Sequence, residues 1–433
     1  MTENTTTSPT SPTSPTSLTS PASPTSRARP REPGESSGSS GSAGTSTVSG
    51  ALPDTQRSLA PDLARGFMLL VIATVHAHLF RLATSGSFTL EGPLDTVLTL
   101  GMALFAENRG YPMFAALFGY GLAQIARRRT ADGRPWPWVR RLLRRRGRWL
   151  IAIGLAHTLL LFYGDIISVY GLIAVLFAGI LSFSDRKLLT FAFGWGAVGT
   201  LVYAIVNGGF FDAMAEGGEE QATGPLLDMV FRLATMPVFW PLMLTISVFP
   251  VLIGIWAARR QVLEEPARHL PLLRRTAVLG IGGAVLCAIP YALSNIEVID
   301  PSATVQVPLY WLHLVSGYAG GFGYGALIAL VAIRIGDRRG PVVNALAATG
   351  RRSMTCYLLQ SVAWAVLMPS YAFGLSGALT DTQAVGLGIT VWLVTVLIAD
   401  LLRRAGFEQG PAEWLLRRMT YRKRDAGSEV RGT

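Results

Sequence analysis

The sequence predicts an all-α polytopic integral membrane protein, with about ten transmembrane helices and both termini in the cytoplasm. Three observations carry this. Half of the 433 residues are hydrophobic, only 15% are charged, and the mean hydropathy is +0.38; a soluble domain carries roughly a quarter charged residues. The apolar residues are gathered into runs of bilayer-crossing length. The net charge of +11 is carried almost wholly by arginines between those runs, since Lys187 and Lys423 are the only lysines.

Residues 1–56 are rich in Ser, Thr, Pro and Gly and repeat a Ser-Pro-Thr pattern as far as Ser26. Such a segment cannot bury an apolar core and is expected to be a disordered cytoplasmic tail. It contains no apolar h-region, so no signal peptide is expected. Residues 57–421 form the transmembrane domain, and 422–433 a basic polar tail.

Ten spans are expected in order: 63–82, 111–127, 149–163, 166–183, 188–206, 238–258, 273–293, 309–333, 354–372 and 383–402. Three Arg-rich segments, 127–148, 259–275 and 334–352, alternate with acidic or neutral loops at Asp165, at Asp212 to Asp228, at Glu297 to Asp300 and at Asp381. Ten crossings put every basic loop on the cytoplasmic side, as the positive-inside rule requires. Residues 94–106 are apolar but short. They are expected to form an interfacial or re-entrant helix ending at Glu107-Asn108-Arg109. Loop 207–236 is expected to be an external flap, with Phe239 and Trp240 in an interfacial aromatic belt. Gly317, Gly321 and Gly325 recur every four residues and invite close helix approach.

A basic total also suits nucleic-acid binding. Here the arginines flank apolar runs, so the partner expected is the lipid bilayer and no nucleic acid. The Arg, Ala and Gly bias fits a bacterial source, and hence a multi-pass protein of the plasma (inner) membrane. Cys287 and Cys356 both lie in apolar spans and offer neither a disulfide framework nor a metal motif. Neither a metal nor a tightly bound cofactor is expected.

The candidate chemistry begins in the first span. Arg65 and His76 are eleven residues apart, about three full turns, so they share a face roughly 16 Å apart. Asp62 leans toward the same stripe, and His78 points the other way. Ionisable groups inside a span are costly unless they face protein or a wet cavity, which makes the stripe a candidate site. Arg65, at the cytoplasmic surface, can receive a phosphate or pair with Asp62. A neutral His76 can take a proton from a hydroxyl or amine.

A second polar set is Gly154-Leu155-Ala156-His157 with Gly164-Asp165. On an ideal helix His157 and Asp165 are too far apart to touch. His157 is read as a helix-to-helix hydrogen bond or a catalytic group, and His313 as an interfacial histidine. A third set runs from Gly350-Arg351-Arg352-Ser353 to Tyr357, Gln360 and Ser361. Ser353 is expected to cap the ninth span. Tyr357, Gln360 and Ser361 share a face that is either a cavity wall or a set of interhelical bonds.

The blocks Asp62-Leu63-Ala64-Arg65-Gly66, Leu117-Phe118-Gly119-Tyr120-Gly121, Gly154-Leu155-Ala156-His157 with Gly164-Asp165-Ile166, Ser353 through Ser361, and Gly410-Pro411-Ala412-Glu413-Trp414-Leu415-Leu416-Arg417 resemble, in this order, the YeiB-like family of bacterial inner-membrane proteins. The resemblance covers residues 57–421 and implies a multi-span helical protein whose C-terminal half is a domain of unknown function. The family is similar in turn to a wider group of transmembrane acyltransferases, including the acyltransferase-three enzymes and the lysosomal heparan glucosaminide acetyltransferase. In acyltransferase-three proteins the first span carries an Arg, ten residues, then a His needed for transfer, and Arg65 and His76 match that spacing. Typical YeiB-like members carry Asn at the positions of His76 and Cys356.

The resemblance implies a membrane acyltransferase with an acyl-coenzyme A donor substrate near Arg65, Asp62 and Arg351. His76 would be general base or acyl carrier, and His157 or Asp165 would orient it or receive the acceptor. The acceptor class is a small molecule, a sugar or glycan, or a lipid. The alternatives are a small-molecule transporter using the same stripe as its path, and a membrane protein without turnover. The sequence does not determine an oligomeric state.

Overall fold

In a computed structural model, residues 58–85, 90, 92–217 and 224–421 are described. The expected tails 1–56 and 422–433 lie outside them, as do residues 218–223 of the expected flap. Every regular element among the described residues is helical. The helices are α1 (Leu59–Ser85), α2 (Pro93–Phe105), α3 (Gly110–Ala131), α4 (Trp136–Leu160), α5 (Ile167–Leu176), α6 (Asp185–Gly217) and α7 (Pro225–Arg259), then α8 (Leu270–Asn295), α9 (Ala303–Ile335), α10 (Pro341–Arg351), α11 (Ser353–Leu367), α12 (Asp381–Arg404) and α13 (Pro411–Thr420).

Six stretches, in α1, α6, α7, in and just before α8, in α9 and in α12, are long and apolar enough to cross a membrane. Seven of the ten expected spans lie within a helix, whereas 149–163, 166–183 and 354–372 run past the ends of α4, α5 and α11. α3 and α4 carry their arginines inside the helix, and α5 and α11 are only 10 and 15 residues long. Antiparallel neighbours pack on one another: α8 on α9, α4 on α5, α6 on α7, and α1 on both α10 and α12, while α3 packs on α7 with both helices running toward the Arg-rich end.

The Arg-rich segments gather at one end of the bundle. Arg127 pairs with Glu264 at 2.5 Å, Arg259 with Asp185 at 2.7 Å, and Ser58 donates to the Leu263 carbonyl at 2.5 Å. Arg352 reaches the Phe407 carbonyl there. At the opposite end Arg81 pairs with Asp381 at 2.8 Å, Thr382 N–H donates to Asp95 at 2.9 Å, and Tyr371 donates to Asp228 at 2.6 Å.

Several expectations change. Residues 94–106 are the first half of a broken helix. α2 starts beside Thr382 at the Arg-poor end, and α3 finishes at Arg127 at the Arg-rich end, so together they run from end to end with a break at 106–109. Asn108 takes a φ of +55° there, a left-handed conformation that Asn tolerates better than most residues. The expected flap is largely helix, because α6 continues to Gly217 and α7 begins at Pro225. Phe239 is buried against Tyr163, ring centroids 5.9 Å apart, instead of facing an interface. Gly317 and Gly321 do admit a close neighbour, and it is the backbone of Asn108 and Arg109.

Ser353 does not cap α11. The carboxylate of Glu413, from α13, accepts from Met354 N–H at 2.7 Å, from Thr355 N–H at 3.1 Å and from the Thr355 hydroxyl at 2.6 Å. An anion at a helix N-terminus satisfies orphan donors and meets the positive end of the dipole.

Candidate functional site

α4 ends at Leu160, where the N–H groups of Leu161 and Phe162 both return to the His157 carbonyl. The chain then reverses within six residues and enters α5. This turn brings Asp165 back to His157, and Nδ1 of His157 lies 2.9 Å from Oδ1 of Asp165. The reading that kept them apart extrapolated an ideal helix past Leu160, and the turn overrides it. Asp165 Oδ1 also accepts from Ile167 N–H at 3.1 Å, and Oδ2 from Ser168 N–H at 2.7 Å. The carboxylate therefore caps α5 while holding the imidazole. Gly154 makes the room: a Cβ there would land on Asp165 Oδ2 and the Ser168 hydroxyl.

His157 and Asp165 are both buried. With two backbone N–H groups already donating to the carboxylate, an Nδ1–H of His157 completes its set of donors, the tautomer in which Nε2 carries the lone pair. That Nε2 is buried with no hydrogen-bond partner among the described residues, and so is Nδ1 of His76. Phe162 and Tyr357 each pack against both imidazoles. Ring centroids are 4.7 Å for His76–Phe162, 6.4 Å for His157–Phe162, 6.2 Å for His76–Tyr357 and 5.2 Å for His157–Tyr357. Tyr357 is held by α11, whose Gln360 donates to the Leu69 carbonyl of α1 at 3.3 Å. The shared stripe of Tyr357, Gln360 and Ser361 is thus buried interhelical contact and, at Tyr357, one wall of the site.

Arg65 donates to Asp62 at 3.3 Å, toward the Arg-rich end. Gly350 meets the same turn, since a Cβ there would land on the Asp62 carbonyl oxygen. Asp62, Arg65 and the neighbouring Arg351 therefore form one neighbourhood, separate from the His76–His157–Asp165 group further along α1. Phe162 was not legible as a site residue, because its role depends on the turn. His313 is fully buried and stacked on Tyr291 with ring centroids 4.4 Å apart, so it is not an interfacial histidine.

The chain is 25% identical over 410 residues to the uncharacterized protein YeiB of Escherichia coli (strain K12), covering 85% of this chain and 97% of the relative. The chain is thus similar to the YeiB-like proteins over most of its length. Residues 257–423 match the family model described as a protein of unknown function, DUF418. The chain is also 25% identical over 350 residues to the uncharacterized protein YxaH of Bacillus subtilis (strain 168), covering 74% of this chain and 81% of that one. A third relative, an uncharacterized 39.9 kDa protein encoded in the amylase 3′ region of Bacillus acidopullulyticus, is 26% identical over 386 residues, 84% of this chain and 93% of its own. No solved structure matches the chain.

Proposed function

We propose that this protein is a membrane acyltransferase that moves an acyl group from an acyl-coenzyme A donor to a hydroxyl or amine of a small-molecule, sugar or lipid acceptor. The observation that carries the reading is the buried Asp165–His157 pair, 2.9 Å apart, with Nε2 of His157 unpartnered beside His76. Asp165 fixes the tautomer and stabilises the imidazolium that forms. His157 takes the acceptor proton as the acceptor oxygen or nitrogen attacks the thioester carbonyl, and the thiolate of coenzyme A leaves. His76, across Phe162, donates to the developing oxyanion or carries the acyl group in transit. The phosphates of the donor meet Arg65 and Arg351 at the Arg-rich end, and the stripe from Arg65 to His76, about 16 Å along the helix, is the path of its thiol arm. That end is read as the cytoplasmic face of a bacterial plasma membrane crossed ten times, counting α2 with α3 as one crossing.

The test is donor turnover by the purified full chain with acetyl-coenzyme A, read as free thiol, together with acylated products in the lipid, glycan and metabolite fractions of a host expressing it. Loss of both in His157→Asn, at normal protein level, supports the reading. Unchanged acylation in His157→Asn and in His76→Ala overturns it. A small-molecule transporter is the second reading, favoured by the broken helix α2–α3 with Glu107 and Arg109 at its break, an arrangement used for substrate sites in transporters. It predicts altered uptake or efflux with no thiol release, and no thermal stabilisation by coenzyme A.

A further inference from the structure

His76 and His78 are two residues apart on α1 and so face nearly opposite sides of it. The His78 side holds a second buried polar group, distinct from the His157 site. Nδ1 of His78 lies 3.1 Å from Oδ1 of Asp381, and its Nε2 lies 3.8 Å from Oε1 of Glu107. On the far side of Glu107, Nε2 of His313 lies 3.9 Å from Oε2. Asp381, His78, Glu107 and His313 thus form a row through α12, α1, the break between α2 and α3, and α9. His313 is fully buried, and neither of its ring nitrogens has a hydrogen-bond partner among the described residues.

The surroundings set the charge balance. Arg81 of α1 is committed to Asp381 at 2.8 Å and to the Leu379 carbonyl. Arg109, in the break, donates to the carbonyls of Ala103 at 3.0 Å, Glu107 at 2.6 Å and Ala284 of α8 at 3.1 Å. Asp95 of α2 is held by Thr382 of α12. From α9, Tyr324 donates to the Phe105 carbonyl, and from α8, Tyr291 stacks on His313. Among the described residues, the ion-pair neighbours of the Glu107 carboxyl are two imidazoles. A carboxylate in an apolar interior is costly unless a proton resides on it or on a group against it. Imidazoles are the side chains that exchange protons near neutral pH.

We infer that Asp381, His78, Glu107 and His313 form a proton relay in the broken helix, exchanging a proton between the bundle end where α12 begins and the His313 interior. The ligand is the proton itself. In each step one O–H or N–H bond breaks as another forms. A proton on Asp381 passes to Nδ1 of His78 while the proton on Nε2 passes to Glu107, and from Glu107 it passes to Nε2 of His313. The 3.8 and 3.9 Å gaps close by a small side-chain rotation or through one bridging water. Chains of Asp, Glu and His inside a membrane serve as proton relays in pumps and transporters. This relay does not depend on acyl transfer at His157.

Infrared spectroscopy of the purified full chain in lipid nanodiscs, titrated with pH in H₂O and D₂O, tests it. The expected wild-type signal is a deuterium-sensitive C=O band of a protonated buried carboxyl that disappears as pH rises. Glu107→Gln loses the band. His78→Asn moves the pH at which it disappears, because one of the two imidazoles that exchange protons with Glu107 is gone. His157→Asn leaves it in place. A band that survives in Glu107→Gln, or that vanishes in Asp165→Asn, overturns the relay. If Glu107→Gln does not yield folded protein, His78→Asn and His313→Asn decide, and an unmoved band midpoint in both overturns it equally.

Discussion

Nδ1 of His157 lies 2.9 Å from the Asp165 carboxylate, which also receives the first two amide N–H groups of α5. One carboxylate therefore ends the α4–α5 turn and orients an imidazole. Asp165→Asn keeps the size but offers one acceptor oxygen where three donors converge. Donor turnover is expected to fall by about 100-fold or more, the scale of a general base lost, with a lower melting temperature. Thiol release and thermal melting measure the two effects. If turnover stays at the wild-type level, His157 is not the base.

Gly154→Ala is expected to destabilise, although alanine normally favours a helix interior. The added Cβ meets the Asp165 carboxylate and Ser168, and such overpacking costs about 1–3 kcal/mol. Gly282→Ala on α8, where a Cβ meets nothing within 4 Å, is expected to stabilise by about 0.5–1 kcal/mol. Thermal melting of the two variants in the same detergent checks the opposite signs.

Glu413→Ala removes the cap of α11 and is expected to cost about 0.5–2 kcal/mol. Glu413→Gln retains an acceptor oxygen and should lose less. Hydrogen exchange separates this from a general loss of stability. The amides of Met354 and Thr355 should lose protection first, while those in the middle of α8 stay protected.

Arg109→Lys should be among the most costly single changes in the bundle. The guanidinium serves three carbonyls that one ammonium cannot reach together, and each hydrogen bond to a charged group is worth about 1.5–3 kcal/mol. A loss of about 2 kcal/mol or more is expected in thermal or denaturant unfolding.

Glu264→Gln provides the contrast. Its partner Arg127 is 39% exposed, so solvent screens the pair, and a change under about 1 kcal/mol is expected. The difference from wild type should shrink further as salt is raised, because screening already weakens the wild-type pair.

How much was legible follows from which signals are local. Apolar run length, arginine placement and the spacing from Arg65 to His76 are properties of adjacent residues, and they predict the helical class, the positions of the spans and the Arg-rich end. The turn after Leu160 left no periodic trace, so the distance from His157 to Asp165 came out wrong on an ideal helix. The row from Asp381 to His313 had one readable sign, Arg81 three residues after His78 near the end of an apolar run. Its other members come from α9, α12 and the break after α2.

By itself, then, the sequence determined an all-helical chain with bilayer-length apolar runs, its arginines in alternate loops and a His–Arg stripe on α1, because hydrophobic period and charge are encoded residue by residue. Only the tertiary structure decided that Asp165 returns to His157, that Glu413 caps a helix nearly sixty residues away, and that His76 and His78 serve two different polar groups. Those outcomes depend on how helices dock, and docking is set by packing and by satisfying buried polar groups among segments far apart in the chain.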